Sequence, residues 1–377
     1  MAGIYIHIPF CKQACYYCNF HFSTLLSYKE KLVAAIAKEL FLRKDSLAGE
    51  TIDSIYFGGG TPSLLSEKEF YAIYEAILKN YDTSSLKEFT FEANPDDLSD
   101  TFLNWLKNTA VDRLSIGIQS FEDVHLKFMN RAHTAKEAYE SVQKAKQIGI
   151  NRISIDLIYG IPGMEMQTWE SNLTNAFSLE IDHLSSYCLT LEPNTVFGKL
   201  AKKDKMILPL EENSSSQFER LQNLSEAAGF VQYEISNFGK PNAFAIHNTN
   251  YWNGASYLGV GPGAHSFFPG QRMWNISNNQ HYMRSLEKDE LPLETESLSL
   301  ADQFNEYVMT GLRTMWGIDL AFIENNFGHD YSNQIRKDLE KHLASGKLIA
   351  KENKWVLSKE GKFFADGIAS DAFVINP

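Results

Sequence analysis

Six short runs rich in β-branched and aromatic residues recur through the first half of the chain, at 4–8, 54–57, 89–92, 113–118, 152–158 and 183–189. Between them lie stretches with apolar residues at helical spacing, at 28–44, 67–81, 101–110 and 134–149. Strands that alternate with helices pair in parallel, because only a crossover connection can return the chain to the same end of a sheet. Six such units predict an α/β fold: a partial, open (β/α)6 relative of the eight-stranded barrel. In folds of that kind, ligand-handling side chains gather at the C-terminal tips of the strands.

The pattern changes after about residue 205. The segment 209–217 reads as a loop, 218–229 as a helix, and 230–283, rich in Gly, Asn and aromatics, as strands and loops. From about 300 onward three helical stretches precede a strand pair and a last helix, the order of a winged helix. The expected division is a barrel domain at 1–205, a connecting region packed on it at 206–300, and a winged-helix-like α+β domain at 301–377. A winged helix often binds DNA, but this segment carries 9 Lys and Arg against 11 Asp and Glu. The whole chain has a net charge of −12. Neither balance suits a nucleic acid or an anionic membrane, both of which present phosphate. No apolar run approaches the ~20 residues of a membrane helix, and the N-terminus lacks the basic and apolar regions of a signal peptide. Any membrane association is expected only through partners, and the expected compartment is the cytoplasm.

Three of the four cysteines, Cys11, Cys15 and Cys18, crowd into CKQACYYC. A disulfide would leave an odd thiol and suits an oxidising compartment. Zinc would need a fourth ligand, for which His7 and His21 are candidates. Three thiolates on one loop also suit an iron–sulfur cubane with one iron left free for a substrate or cofactor. Each later strand ends in a group suited to ligand contact. The second runs into Gly58, Gly59, Gly60 and Thr61, a bare turn that lacks the GK[ST] of a phosphate loop. The third ends near Glu92, the fourth at Gln119, and the fifth carries Asp156. Polar groups at matching places in successive apolar strands indicate one site at the barrel mouth. Cys188, on the sixth strand, reads as a buried small hydrophobe.

CKQACYYC, YFGGGTP, FEANP and IDLIYGIP together resemble the radical S-adenosylmethionine (SAM) superfamily. Within it, nearly the whole chain is similar to the branch that holds the oxygen-independent coproporphyrinogen III oxidases and the haem chaperones known as HemW. The resemblance implies a [4Fe–4S] cluster on Cys11, Cys15 and Cys18, whose open iron chelates the amino and carboxylate groups of SAM. It places Gly59, Gly60, Thr61, Glu92, Gln119, Arg131 and Asp156 against SAM, and Tyr5 and Tyr17 beside the cluster. On physical grounds alone Arg131, at a helix start, reads as a surface residue, and Tyr5 as core.

Three features separate the two functions of this branch. The position two places after the third cysteine, a further cysteine in the oxidases, is Phe20 here. The segment before the cysteine loop is short. HNTNYW (247–252) matches the HNxxYW signature of the chaperones, which makes His247 a candidate haem ligand, since imidazole is a common axial ligand. The first expected function is a haem chaperone that binds haem and passes it to client haemoproteins, respiratory-chain proteins among them, as a monomer or a homodimer. The second is oxidative decarboxylation of coproporphyrinogen III by a SAM-derived radical, fed by an electron donor such as flavodoxin or ferredoxin. GVGPGA (259–264) fits a dinucleotide-loop pattern, but Pro262 interrupts it and no βαβ unit surrounds it. It is expected to form a loop near the mouth, close to His265.

Overall fold

The structure is a computed structural model that describes residues 1–375. The last two positions of the expected C-terminal domain lie outside the described residues. Six parallel strands follow one another in sequence and in space: β1 (Ala2–Ile8), β2 (Ile52–Gly59), β3 (Glu88–Ala93), β4 (Arg113–Gln119), β5 (Arg152–Tyr159) and β6 (His183–Cys188). The crossovers carry helices α1 (Lys29–Leu42), α2 (Glu67–Asn80), α3 (Asp100–Leu106), α4 (Asp123–Phe128), α5 (Ala135–Gln147) and α6 (Met166–Ser178). Start signals are plain in the chain. Ser66 with Glu69 and Thr134 with Glu137 form reciprocal capping boxes at α2 and α5.

The sheet does not stop at six strands. On the outer edge of β1 lies β9 (Tyr257–Val260), also parallel, and then three antiparallel strands from the region up to residue 297. On the outer edge of β6 lie β8 (Asn237–Gly239) and β7 (Val231–Glu234). The region 206–300 therefore extends the barrel sheet at both ends. It also holds more helix than its composition predicts. After the short α7 (Val196–Ala201), helix α8 spans Glu211–Ala227 and absorbs most of the segment read as a loop. The serines there are poor helix formers, but tertiary contacts override them. Gln217 is buried, accepts the Gly160 N–H (2.8 Å) and donates to the Met164 carbonyl (3.0 Å). The fully buried Trp169 donates its indole N–H to the Gln217 carbonyl (2.8 Å). Emptying such a site of its ring costs about 3–5 kcal/mol. A helix where strands and loops were expected, α9 (Ile246–Trp252), contains the HNTNYW motif. Another, α10, spans Asn279–Glu287.

The C-terminal segment forms its own apolar cluster around Phe304, Val308, Ile323, Ile335 and Leu339. Its order is α11 (Leu300–Leu312), a two-residue strand, α12 (Leu320–Phe327), α13 (His329–Ala344), an antiparallel strand pair, and α14 (Ala365–Ser370). That is the winged-helix-like α+β arrangement. Among the described residues no helix is long and apolar enough to cross a membrane.

Candidate functional site

Strand alternation decides which side chains meet. In β1 to β5 one set, including Ile4, Ile6, Phe57, Phe91, Ile116 and Ile155, packs outward in the core under the helices. The opposite set, including Tyr56, Thr90, Glu92, Ser115, Ser154 and Asp156, faces a cavity of about 1230 Å³. In an ordinary eight-stranded barrel, branched apolar side chains fill this space. Here small and polar ones leave it hollow, and its wall continues past β6 to Arg313, Lys362 and Phe364 of the C-terminal segment.

The segment between β1 and α1 carries Cys11, Cys15 and Cys18, all half-buried on the cavity wall. It is pinned along its length. Cys11 N–H donates to the Ser23 carbonyl (3.1 Å), and Ser23 N–H to that of Pro9 (2.8 Å). Asn130 donates to the Ala14 carbonyl (2.8 Å), and Lys12 pairs with Asp96 (2.9 Å) and Asp97. His7, at the end of β1, donates from Nε2 to the His21 carbonyl (2.8 Å) and accepts at Nδ1 from the Tyr5 hydroxyl (3.0 Å). Burial lowers its pKa to about 4, so it stays neutral. Burial pushes the Cys11 thiol up to about 11, and Cys18 and Cys15 add to the shift.

The glycine turn after β2 owes its composition to close packing within the protein. A side chain on Gly58 would strike the Tyr56 ring (2.6 Å) and Glu92 Oε1 (2.8 Å). One on Gly60 would strike the Ile8 carbonyl (2.6 Å) and the backbone of Phe10 (2.7 Å), so the turn can lie directly on the cysteine loop.

Glu92 accepts from the Tyr56 hydroxyl (2.6 Å) and from the Gly59 N–H (3.1 Å). Burial raises its pKa to about 7, and the nearby Asp156 adds to that. Burial likewise raises Asp156 to about 6, against the opposing pull of Ser185 and Arg131. Gln119 sits at φ 70°, a left-handed conformation uncommon outside glycine and often found at functional sites. Arg131 corrects the surface reading. Its guanidinium reaches into the cavity, donating to Cys15 Sγ (3.3 Å), the Tyr17 hydroxyl (3.4 Å), Asn94 Oδ1 (2.6 Å) and the Gly117 carbonyl (2.6 Å). Its buried Nε has no partner.

All the predicted site residues line this one cavity except Tyr5 and His247. Tyr5 packs its ring on Tyr56 (6.0 Å) behind the wall. His247 sits among the first residues of β1, β2 and β3, at the opposite end of the strands from the cysteines. Its Nδ1 pairs with Ser54 Oγ (3.0 Å) and its Nε2 with the Tyr251 hydroxyl (3.1 Å). In this arrangement neither nitrogen is free for a metal, which argues against a haem ligand. Tyr251 packs on Tyr257 (4.4 Å), and Trp252 lies under the Arg313 guanidinium (5.3 Å). Cys188 also differs from its reading as core, since it is half-buried on the cavity wall. The GVGPGA turn packs against His7, behind the mouth, while His265 is exposed and stacks on Trp274. Sequence reading missed Tyr56 and Asn94, which lie inside two of the quoted motifs. It had no signal for His7 as the brace of the cysteine loop.

Zinc fits this site poorly. His7 has both ring nitrogens engaged, and His21 Nε2 is held on Asn279 (2.7 Å). Among the described residues no three His, Cys, Asp or Glu side chains are drawn together tightly enough to enclose a single ion. A cubane asks for a wider triangle, because each thiolate takes a different iron.

Residues 5–174 match the radical SAM superfamily and residues 298–364 the HemN C-terminal domain. The haem chaperone HemW of Bacillus subtilis (strain 168) is 34% identical over 371 residues, covering 98% of each chain. The chain belongs to the HemW family. A second relative, haem chaperone HemW of Lactococcus lactis, is 36% identical over 86% of this chain and 84% of its own. Among solved structures, the coproporphyrinogen III oxidase HemN from Escherichia coli superposes with a TM-score of 0.86. It covers 99% of this chain and 90% of its own, at 21% identity, and so shows the fold alone. The cofactors of a radical SAM site are a [4Fe–4S] cluster and SAM, and the residues of this HemW family member fit them. Soft thiolates meet iron, two half-buried carboxylates face the cavity where a cation would sit, and a buried guanidinium nitrogen awaits an acceptor.

The raised carboxylates carry a pH prediction. A cationic ligand needs Glu92 ionised, so below about pH 7 it must displace a proton. With the positive charge of SAM on Glu92, as the superfamily resemblance implies, SAM affinity should rise with pH by up to about tenfold per unit below 7, and level off above it. Equilibrium dialysis from pH 6 to 8 measures this, and Glu92→Gln should flatten the profile.

Proposed function

We propose that this chain is a haem chaperone that binds haem and passes it to client haemoproteins, with the cluster and SAM supporting a transfer-competent state. The observation that carries this reading is full-length similarity to proteins named haem chaperones, with the exposed Phe20 at the cavity lip where the oxidases have a further cysteine. Cavity size supports it. Sites for one small ligand run to about 300–1,000 Å³, and this one is larger. Its outer part offers the exposed rings of Tyr187 and Phe364 to a flat macrocycle, and to a carboxylate the cation Lys362, whose Nζ rests on Gln232 (3.0 Å); Arg313 beside it is paired with Glu234 and Asp366. Burial lowers Lys362 to about 8, so it stays mostly charged at neutral pH.

In this reading Cys11, Cys15 and Cys18 ligate the cluster, and Tyr17 and Arg131 brace it. Gly59, Gly60, Thr61, Glu92, Gln119 and Asp156 receive SAM. When bound, the cluster supplies an open iron and a reducing electron. The chain divides into a barrel at 1–205, sheet extensions at 206–300 and the C-terminal domain. It works in the cytoplasm, with respiratory-chain haemoproteins as clients, a flavodoxin- or ferredoxin-type electron donor, and a homodimer as one working form.

The test uses anaerobically reconstituted protein. Haem titration should give a saturable Soret band at one haem per chain. Coproporphyrinogen III with SAM and a reductant should give no protoporphyrinogen. Sustained turnover to protoporphyrinogen would overturn the chaperone reading.

A further inference from the structure

The HNTNYW helix is held at both ends; Asn248 lies on the cavity wall, and the His247 ring lies behind the wall against Tyr56. At its start, the N–H groups of Ile246 and His247 donate to the buried Glu88 carboxylate (2.9 and 3.0 Å). At its end, Trp252 lies under Arg313, which pairs with Glu234 (3.1 Å). Between them the His247 imidazole is fixed by Ser54 and Tyr251 and stacks on Tyr56, with ring centroids 5.1 Å apart and planes 27° apart. The Tyr56 phenol in turn donates to Glu92 at 2.6 Å.

We propose that His247 is a positioning residue for SAM binding: its stack on Tyr56 fixes the phenol that aims the Glu92 carboxylate into the cavity. This goes beyond the chaperone reading and rests only on Glu92 receiving SAM. Physical reasons favour the imidazole in this place. The site is buried and carries two polar neighbours, Ser54 Oγ and the Tyr251 hydroxyl, and a neutral imidazole satisfies both at once in either tautomer. Burial holds its pKa near 3, so the ring remains neutral and flat against the phenol across the working pH range. Tyr5 packs on Tyr56 as well (6.0 Å), and the side-chain-free Gly58 gives the ring its seat. An arm of this kind acts as a partner beyond the contact layer does at a metal site, where its loss typically weakens binding by about 10–100-fold.

The test measures the SAM dissociation constant of reconstituted protein with full iron content, for His247→Ala, His247→Phe, Tyr56→Phe and Glu92→Gln. His247→Ala should weaken SAM by about tenfold. His247→Phe keeps a flat ring in the stack and should restore affinity to within about threefold. In a Tyr56→Phe background, His247→Ala should add little, since both changes break the same arm. If Glu92→Gln weakens SAM while His247→Ala leaves it unchanged, the positioning role is wrong. If His247→Phe is as weak as His247→Ala, the stack is not the active element and the proposal fails. If Glu92→Gln itself has no effect, the placement of SAM at Glu92 fails instead. A haem titration on the same variants reads the chaperone function separately. Should His247→Ala prove unstable, His247→Phe against Tyr56→Phe still carries the comparison.

Discussion

Cys15→Ala should purify, after anaerobic reconstitution, with iron near background and without the broad absorbance of a cubane, while Cys188→Ala keeps both. The reason is chemical as much as geometric. Only thiolates match the softness of iron–sulfur clusters, and three are the fewest that hold a cubane while leaving one iron open. Cys15 also receives Arg131 Nη1 (3.3 Å), so in the proposed site its loss removes a ligand and one of the two contacts, with the Tyr17 hydroxyl (3.4 Å), by which the guanidinium holds the loop. SAM binding should fall with the cluster, and by more than the about 10–100-fold lost when only a partner behind a metal ligand is removed. The same protein should stay folded, because the loop is pinned by Ser23, Asn130 and His7 independently of the metal. Iron analysis, absorbance and thermal unfolding on one sample decide the matter. A Cys15→Ala protein with full cluster content would remove the site assignment.

The second large effect is on stability. Glu39 on α1 is fully buried beside Arg43 (3.0 Å). Its carboxylate also accepts from the Gly261 N–H (2.9 Å), Asn275 (2.7 Å) and the Tyr282 hydroxyl (2.5 Å). Arg43 in turn donates to the Gly259 carbonyl (2.9 Å) and Ser266 (3.0 Å). This network fastens the GVGPGA turn to α1. Glu39→Ala leaves a buried guanidinium without its counter-charge, which costs about 3–5 kcal/mol. It also frees the turn that packs behind His7. Urea unfolding should show that loss, with weaker cluster retention as a second sign. A loss below about 1 kcal/mol would show that the network is not holding the turn.

The order of the six strands was readable because β-rich runs and helical stretches alternate along the chain, with capping boxes opening α2 and α5. The mouth residues were readable for the same reason, since Glu92, Gln119 and Asp156 are polar where the outward set is Ile, Leu and Phe. Alternation also holds the hollow interior, in Thr90, Ser115, Ser154 and Ser185, although single serines in a strand carry no weight alone. Other features depend on distant partners. Helix α9 consists of weak helix formers, and its start is stabilised by Glu88, 158 residues away from Ile246. Arg131 looks like a surface residue until Cys15, Asn94 and Gly117 converge on it. The seventh parallel strand, β9, is four residues long and gains its place by pairing with β1 on one side and with the antiparallel strand His265–Phe268 on the other. The glycines of YFGGGTP suggested close approach to a ligand, whereas Gly58 and Gly60 first of all make room for Tyr56 and for the cysteine loop.

The proposed site requires one iron of a three-thiolate cubane to lie open to SAM. Mössbauer spectroscopy of protein reconstituted with iron-57, recorded with and without SAM, reads this directly. One iron in four should change its signal when SAM is added, while the other three stay as they were. Four irons indifferent to SAM, or zinc as the bound metal in carefully purified protein, would contradict it.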